Sequence, residues 1–433
     1  MRICIVNEFF HPDNTGGTGT VLSDLVRSLR GTQHDIQIDV ITSKNLYRQK
    51  NVTLPAYENW NGVQIHRLAT PRPNDLPTLL RLTSNALFCA GALVRFLRLG
   101  RYDAILVGTA PPMVALSANI LNCLRGTPFI YIVYDLEPDR SVTMKVMSHH
   151  NPAIRIFRWN QKRWLHSAAK VVVLGRCMRD YLSKTYDLPE QKVEVISIGS
   201  DPGEIVPGPK ETKFRAEHGL QGFILLYSGN FGRYHNFDTL LDAAKELCTK
   251  RPEISFVLVG GGAQKEHIAH RIADEKIANV HLYDFVSKDA YNDLLASADV
   301  SFVTLEPGME GLCVPSKFYS ILASGRPVIA AVSPKSEVAL VIDEAQCGTH
   351  VDQSIVAELV NALTFFADNP AEAERMGRNA REVLEAKYST HHIAGQYYRL
   401  LQEATHTASG HRQLGSTQSS DLPRMPKAEA PSD

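Results

Sequence analysis

The sequence predicts an α/β protein built from two doubly wound, Rossmann-like domains that face each other across a cleft. Short β-rich runs alternate with helical patterns along most of the chain, which is typical of parallel sheets covered by helices. A strand, a glycine-containing loop and a helix occur near the start and again from residue 223. At 433 residues the chain is also too long for one ordinary core.

In the first half, the strand-like runs are short, apolar and rich in β-branched residues. Between the first two runs, apolar residues from 21 to 29 recur at helical spacing and predict one buried helix face. The predicted strands are 2–7, 36–42, 63–67, 104–107, 129–134, 170–174 and 193–196.

The longest uncharged run, 104–124, is long enough to cross a bilayer. Gly108, Pro111, Pro112, Asn119 and Asn122 interrupt it. We therefore favour a strand at 104–107, a turn and a buried helix at 113–124 over a transmembrane helix.

A Pro/Gly-rich segment at 201–210 separates the halves and has the composition of a linker. We expect an N-terminal domain at 1–200, a second domain at 211–385, a closing helix at 386–405 and a disordered tail at 406–433, which is rich in small polar residues. In the second half, the predicted strands are 223–228, 255–259, 280–283, 300–305 and 328–332, and the predicted helices include 237–248, 290–298, 371–385 and 393–405.

The composition limits the function classes. Basic and acidic residues both number 46, so the summed charge gives no reason to expect nucleic acid as a partner. The cysteines are scattered without a metal or disulfide spacing, which favours a reducing cytoplasm. The histidines likewise show no metal-ligand spacing, so we predict no metal site. The apolar run at the N-terminus is too short for a signal peptide.

The segment 306–329 is the most informative, since it joins two predicted strands through an acidic loop and a helix. Pro315 suits the first helical turn, and Ser316 and Lys317 follow it. Unpaired N–H groups at a helix start, together with the Lys317 charge, favour binding of a phosphate. The loop residues Glu306 and Glu310 could contact hydroxyl groups, although both could instead be solvated. Phosphate and hydroxyls together indicate a sugar nucleotide.

Three glycine-containing loops follow predicted strands. Gly16 and Gly17 could let a phosphate or sugar approach the backbone, or they could form only a tight turn. Gly261 lies in a second loop. The third loop contains Gly229, Asn230 and Arg233, and an arginine can grip a diphosphate with a fork of donors. The alternative for Arg233 is an ordinary surface side chain.

Taken in order, these motifs resemble the GT-B glycosyltransferases of family 4, and the segment 315–317 resembles the branch that makes bacterial surface polysaccharides. The resemblance covers about residues 1–400. It implies a nucleotide-sugar donor bound mainly by the second domain, an acceptor bound mainly by the first, retention at the anomeric carbon and no essential metal. The motifs are the loop after the first strand, 134–139, 227–233, 259–262 and 315–329.

The chain departs from that family at one place. Members usually carry two glutamates in the acidic loop and the following helix, but the corresponding positions here are Leu312 and Ser320. Glu306 and Glu310 are nearby but out of register. Ser320 could still hydrogen-bond a ribose hydroxyl, more weakly because serine is uncharged.

The combined expectation is an enzyme that transfers a hexosyl or N-acetylhexosaminyl group from a nucleoside-diphosphate sugar to a glycan or lipid-linked acceptor, with no cofactor. Arg233 and Lys317 would neutralise the diphosphate, and Asp135 would orient or deprotonate the acceptor hydroxyl. Glu137 and Asp139 are rivals for that role, and helix capping is the alternative. Two alternative functions are also consistent with the sequence: a sugar-nucleotide epimerase or hydrolase, and a non-catalytic binding protein.

Two basic segments with apolar periodicity, 154–168 and 79–101, could rest on anionic lipid. For the first, packing of a helix against the N-terminal sheet is the favoured alternative, because a predicted strand follows at once. The expected location is the cytoplasm, including the cytoplasmic face of the inner membrane.

Overall fold

The computed structural model describes residues 1–12, 17–32, 35–46, 52, 54–71 and 78–417. A first sheet has the strand order β3-β4-β2-β1-β5-β6-β7-β8, in which β3 alone is antiparallel to its neighbour. The predicted first-half strands are therefore confirmed as members of one sheet. The strands are β1 Arg2–Val6, β2 Gln37–Ser43, β3 Tyr57–Trp60, β4 Val63–Leu68, β5 Ala104–Val107, β6 Phe129–Val133, β7 Lys170–Val173 and β8 Val193–Val195.

A second, wholly parallel sheet has the order β11-β10-β9-β12-β13-β14. Its central strands are almost completely buried, as expected for a sheet covered on both faces. The fold class predicted from the sequence is thus confirmed. The strands are β9 Phe223–Asn230, β10 Ile254–Gly261, β11 Val280–Tyr283, β12 Val300–Thr304, β13 Val328–Ala331 and β14 Gly348–Val351.

The helices pack on both faces of the sheets. Those before the linker are α1 Thr18–Thr32, α2 Thr78–Leu99, α3 Ala115–Arg125, α4 Asp139–Thr143, α5 Pro152–Ser167 and α6 Arg176–Tyr186. Those after it are α7 Lys213–His218, α8 Asp238–Lys250, α9 Lys265–Asp274, α10 Lys288–Ala296, α11 Lys317–Ala323, α12 Glu337–Ala345, α13 Val356–Asp368, α14 Pro370–Val383 and α15 Thr390–Thr417.

Several elements differ from the sequence prediction. The strands β3 and β14 were not predicted. The last helix, α15, continues to Thr417, whereas the prediction placed a disordered tail from 406; extending a helix that is already packed costs little per residue. Residues 418–433 lie outside the described residues. Regular helix in α11 begins at Lys317, so Pro315 precedes the helix, and its carbonyl accepts a bond from the Phe318 N–H at 3.2 Å.

The uncharged run 104–124 forms β5 and most of α3, as the prediction favoured. No helix in the part of the chain described here has the length and apolar character needed to span a bilayer.

The two lobes are in contact at several points. The Leu136 N–H donates to the Leu312 carbonyl at 2.9 Å, and the buried Glu337 carboxylate accepts from the Arg176 N–H at 2.6 Å. The helix α15 returns to the first lobe and packs on α1, and Tyr398 donates to Asp35 at 2.8 Å. These contacts fix the edges of the cleft between the sheets.

Candidate functional site

The cleft between the two lobes encloses about 670 Å³ and lies beyond the carboxyl ends of β6, β9 and β10. This is the position where open α/β sheets bind ligands. The first lobe contributes residues from α4 and its flanks, and the second contributes three loops. The lining residues are Glu137, Arg140, Ser141, Met144, Val146, Asn230, Gly232, Arg233, Tyr234, Gly261, Gly262, Ala263 and Phe285.

Lys317 lies at the carboxyl end of β9. Its ammonium group donates to the Tyr227 hydroxyl and is 3.6 Å from the centre of the Tyr227 ring. Among the described residues, Lys317 has no carboxylate partner. Burial lowers the pKa of Lys317, because the charged ammonium group is removed from water and no carboxylate stabilises it. A bound anion such as a phosphate would stabilise the charged form.

Tyr227 and His235 hold Lys317 in place. The Tyr227 hydroxyl is 2.6 Å from His235 Nδ1, and both side chains are buried. Burial lowers the pKa of His235, and the positive charge of Lys317 acts in the same direction, so the imidazole is neutral. The lysine is therefore oriented by an aromatic ring and a neutral hydrogen-bond chain, and a bound anion would favour its positively charged form.

Gly229 makes room for the Lys317 side chain. Its φ of +142° is a conformation that other residues rarely adopt, and an added Cβ would lie 3.2 Å from the lysine Nζ. The sequence predicted Gly229 as a donor-binding residue. The structure gives it the additional role of admitting the lysine beside the end of β9.

Arg233, Asn230 and Gly261 all line the cleft, as expected of donor-binding candidates. Arg233 is exposed and forms no ion pair or side-chain hydrogen bond within the described part of the chain. Since Arg233 follows β9 directly and Lys317 packs against β9, the same strand end carries two cations without carboxylate partners. Phe285, 45% exposed, stands beside Gly261 and presents an aromatic face to the cleft.

The acidic loop is anchored by its own backbone. The Glu306 N–H donates to the Tyr234 carbonyl at 2.9 Å, and burial raises the pKa of the half-buried Glu306 carboxyl. The Glu310 carboxylate accepts from the Gly308 N–H at 3.0 Å. Ser316 is exposed and makes no cap bond to α11. Sugar contacts by Glu306 and Glu310 and a donor contact by Ser316 stay predictions.

Ser320 lies one turn after Lys317 on α11 and so faces the same side of that helix. Its hydroxyl interacts with that of Tyr291 on α10, which also interacts with Ser228 of β9. A cluster of neutral hydroxyls thus occupies the position where the family usually has a glutamate. Leu312, at the other glutamate position, is buried and has no polar side chain to offer.

Asp135 is already paired. Arg140 contacts Asp135 at 2.9 Å and Glu137 at 2.8 Å, and its guanidinium is 5.7 Å from the Tyr234 ring of the other lobe. Burial alone would lower the pKa of Arg140, but the two carboxylates outweigh it and raise the value. Arg140 therefore fixes Asp135 near the lobe boundary. The rival Asp139 is buried and accepts from Tyr181 at 3.1 Å, which is a structural role.

The glycine loop of the first lobe is only partly described. Gly17 has a φ of +77° and open space beside it, immediately before α1. Gly16 lies outside the described residues. A donor contact at this loop stays a prediction. No cluster of His, Cys, Asp or Glu that could hold a metal ion occurs among the residues that the structure describes.

Sequence reasoning missed several residues of the site. Tyr227 acts through its contact with Lys317, which is distant in the chain, and Tyr291 comes from another helix. Arg140 could have been found, because it lies in the first turn of α4 and follows Glu137, just before that helix, by three residues, close enough for opposite charges to pair. For Phe285, the sequence offers no pattern, apart from the aromatic side chain itself, that would predict a place in the site.

A buried carboxylate at the end of β1 was also missed. Glu8 is 5% exposed, and no cation or hydrogen-bond donor from the described residues contacts its side chain. Its backbone is fixed by the Ala110 carbonyl at 2.6 Å and by Thr42 at 2.9 Å. Burial raises the pKa of Glu8 to about 7.

We predict that Glu8→Gln increases stability above neutral pH. Between about pH 4.5 and 7 the folded state keeps a proton on Glu8 that the unfolded state has lost, so wild-type stability falls as the pH rises through this window. Each pKa unit corresponds to about 1.4 kcal/mol, so a shift from 4.5 to about 7 gives an upper bound of about 3.5 kcal/mol. Urea unfolding at pH 5 and pH 8 measures the difference, and parallel pH profiles for both proteins would refute the prediction.

Two family models match the chain: "Glycosyl transferase 4-like domain" over residues 16–199 and "Glycosyl transferases group 1" over residues 210–383. "Probable glycosyltransferase WbjE" of Pseudomonas aeruginosa is 27% identical over 67% of this chain and 72% of its own length. "D-rhamnosyltransferase WbpZ" of the same species is 24% identical over 64% of this chain and 70% of its own length.

Two solved structures show the same fold. The sucrose-phosphate synthase of Thermosynechococcus elongatus has a TM-score of 0.74 at 20% identity and covers 93% of this chain and 99% of its own. The Anabaena protein HepE, solved with UDP-glucose, has a TM-score of 0.70 at 16% identity and covers 93% of this chain and 100% of its own. Fold and matching models together define a glycosyltransferase of the GT-B class. Within that class, the chain belongs to family 4.

Proposed function

We propose that the protein is a retaining glycosyltransferase that moves a sugar from a nucleoside diphosphate to a hydroxyl group of a glycan or lipid-linked acceptor. The observation that carries this proposal is the pair of cations without carboxylate partners, Arg233 and Lys317, at the carboxyl end of β9. A diphosphate is the anion that two such groups fit. The structure of HepE with UDP-glucose and that of a trehalose-6-phosphate protein with UDP-2-fluoro glucose support a nucleotide-sugar donor.

In the proposed reaction, the bond between the anomeric carbon and the diphosphate oxygen breaks, and its electron pair goes to the diphosphate. Arg233 and Lys317 stabilise the charge that develops there, which lowers the barrier because it acts more strongly in the transition state than in the ground state. The acceptor oxygen bonds to the same face of the anomeric carbon. Asp135, held by Arg140, orients the acceptor hydroxyl and accepts its proton.

The donor contacts beyond the diphosphate follow from the surrounding hydroxyls and glycines. Ser320, supported by Tyr291, would contact the ribose in place of the usual glutamate. Gly261, beside Phe285, lets the nucleoside approach the backbone. The proposed transferred group is a hexosyl or N-acetylhexosaminyl group. The name of WaaG, "a glycosyltransferase involved in lipopolysaccharide biosynthesis", supports a role in bacterial surface glycans.

Incubation with a panel of nucleotide sugars, with and without hydroxyl acceptors, tests this function. Mass spectrometry of the products and NMR of the anomeric configuration are the readouts. Acceptor-dependent product with retained configuration is expected. Conversion of the donor without acceptor would instead show an epimerase or hydrolase. Binding heat without any product, across donors and acceptors, would show a binding protein.

A further inference from the structure

The chain has no net charge, but one segment is strongly basic. No aspartate or glutamate occurs from residue 140 to residue 179, a stretch that contains α5. Several of its basic residues are neutralised by acids elsewhere, such as Lys162 by Asp187 at 2.6 Å. Lys145, Arg155 and Arg163 are different, because they form no ion pair with any described residue. Their charge is available to a partner.

Large apolar side chains are exposed in the same segment of the chain. Ile156 is 62% exposed, Trp159 58% and Val146 55%. Ile156 and Trp159 are three residues apart on α5, and Arg155 and Arg163 are each four residues from Trp159, so these four side chains lie on one face of the helix. The Arg163 guanidinium is 4.7 Å from the centre of the Trp159 ring.

The opposite face of α5 is packed inside the protein. Ile154, Trp164 and Leu165 are buried, so the stripe predicted from the sequence does pack against the first lobe. Ile156 and Trp159 are outside that stripe. Burial in the domain core therefore does not account for the apolar residues of the outer face.

We propose that this outer face binds the surface of an anionic lipid bilayer. We name it the α5 outer surface; it consists of Arg155, Ile156, Trp159 and Arg163. Tryptophan is suited to the membrane interface, and unpaired basic side chains beside apolar ones complement the negative lipid headgroups. A nucleic acid would match the charge but not the exposed isoleucine.

The position of the surface gives it a role. Val146, which lines the cleft, lies six residues before the start of α5. Docking of α5 on a bilayer would therefore keep this side of the cleft close to the lipid headgroups. An acceptor attached to a lipid could reach the cleft without leaving the membrane. The binding itself does not depend on the proposed transfer reaction and is measured without any nucleotide sugar.

Sedimentation of the full chain with vesicles tests the proposal. Vesicles of phosphatidylcholine alone are compared with vesicles in which a third of the lipid is phosphatidylglycerol. We expect binding only to the second kind, and weaker binding at high salt. Arg155→Glu with Arg163→Glu should reduce binding at least tenfold, since each basic residue near a charged surface contributes roughly fivefold. Separately, Ile156→Ser with Trp159→Ser should reduce binding because binding strength scales with the apolar area buried in the interface.

Matched controls come from the second lobe. Phe365→Ser removes an apolar side chain that is 45% exposed, and Lys213→Glu reverses the charge of a lysine whose side chain is 80% exposed. Both should bind vesicles like the wild type, and all variants should keep its melting temperature. Equal binding by wild type and both double variants, or no binding to anionic vesicles, would overturn the proposal. If only the charge-reversal double variant loses vesicle binding, the proposed contribution of Ile156 and Trp159 is overturned.

Discussion

Replacing Lys317 with alanine is expected to lower turnover by about 100-fold to 1,000-fold, the usual effect of removing one group that stabilises developing charge. The lysine has no carboxylate partner in the described part of the chain, and its charge lies beside the end of β9. Without Lys317, only Arg233 stabilises the negative charge that develops on the departing diphosphate. Steady-state kinetics with the true donor and acceptor measure the effect.

The fold should tolerate this change. Lys317 has no ion-pair partner among the described residues, so its removal leaves no carboxylate unpaired, and the bond between Tyr227 and His235 stays intact. Lys317→Met, which keeps the volume of the side chain, should be as inactive as the alanine variant, while Lys335→Ala, an exposed lysine elsewhere, should be fully active. Wild-type turnover in Lys317→Met would remove the lysine from the mechanism.

Replacing Arg233 with alanine is expected to lower kcat/KM for the donor by about 10-fold to 100-fold, the range for losing a hydrogen bond to a charged group. Arg233 is exposed in the cleft and is not neutralised by any described carboxylate, so its fork of donors is free for the diphosphate. Because it contacts the donor before and during the reaction, KM should rise together with the loss in kcat.

Comparing Arg233→Lys with Arg233→Ala separates the effect of the positive charge from that of the guanidinium geometry. The lysine variant keeps the charge but loses the planar fork, so its activity should lie between those of the wild type and the alanine variant. Arg378→Ala, an exposed arginine on α14 outside the lining of the cleft, is the matched control. Alanine and lysine variants that both match the wild type would show that the diphosphate binds elsewhere.

The sheets were largely predictable because a buried parallel strand is a continuous apolar run with little local ambiguity. The two missed strands lack that signal. The edge strand β3 alternates exposed and half-buried residues, although the Asn61-Gly62 turn after it is a hairpin signal that could have revealed it. In β14, a glycine and a histidine interrupt the apolar character.

The candidate site was predictable only where its residues follow a strand directly. Gly229 and Asn230 are the last residues of β9 and Arg233 lies in the loop that follows, so the sequence pattern indicated their position at the strand end. Contacts between distant segments could not be read from spacing. The support of Lys317 by Tyr227 and the pairing of Ser320 with Tyr291 depend on how α10 and α11 pack on the sheet.

Isothermal titration with nucleoside phosphates tests the central claim, that Arg233 and Lys317 together bind a diphosphate, most directly. The base is chosen as the one among uridine, guanosine, adenosine and thymidine diphosphates that raises the melting temperature most. The wild type should bind this diphosphate at least about tenfold more tightly than the matching monophosphate, and Arg233→Ala with Lys317→Ala should bind both alike. A double variant that keeps the wild-type preference for the diphosphate would contradict the claim.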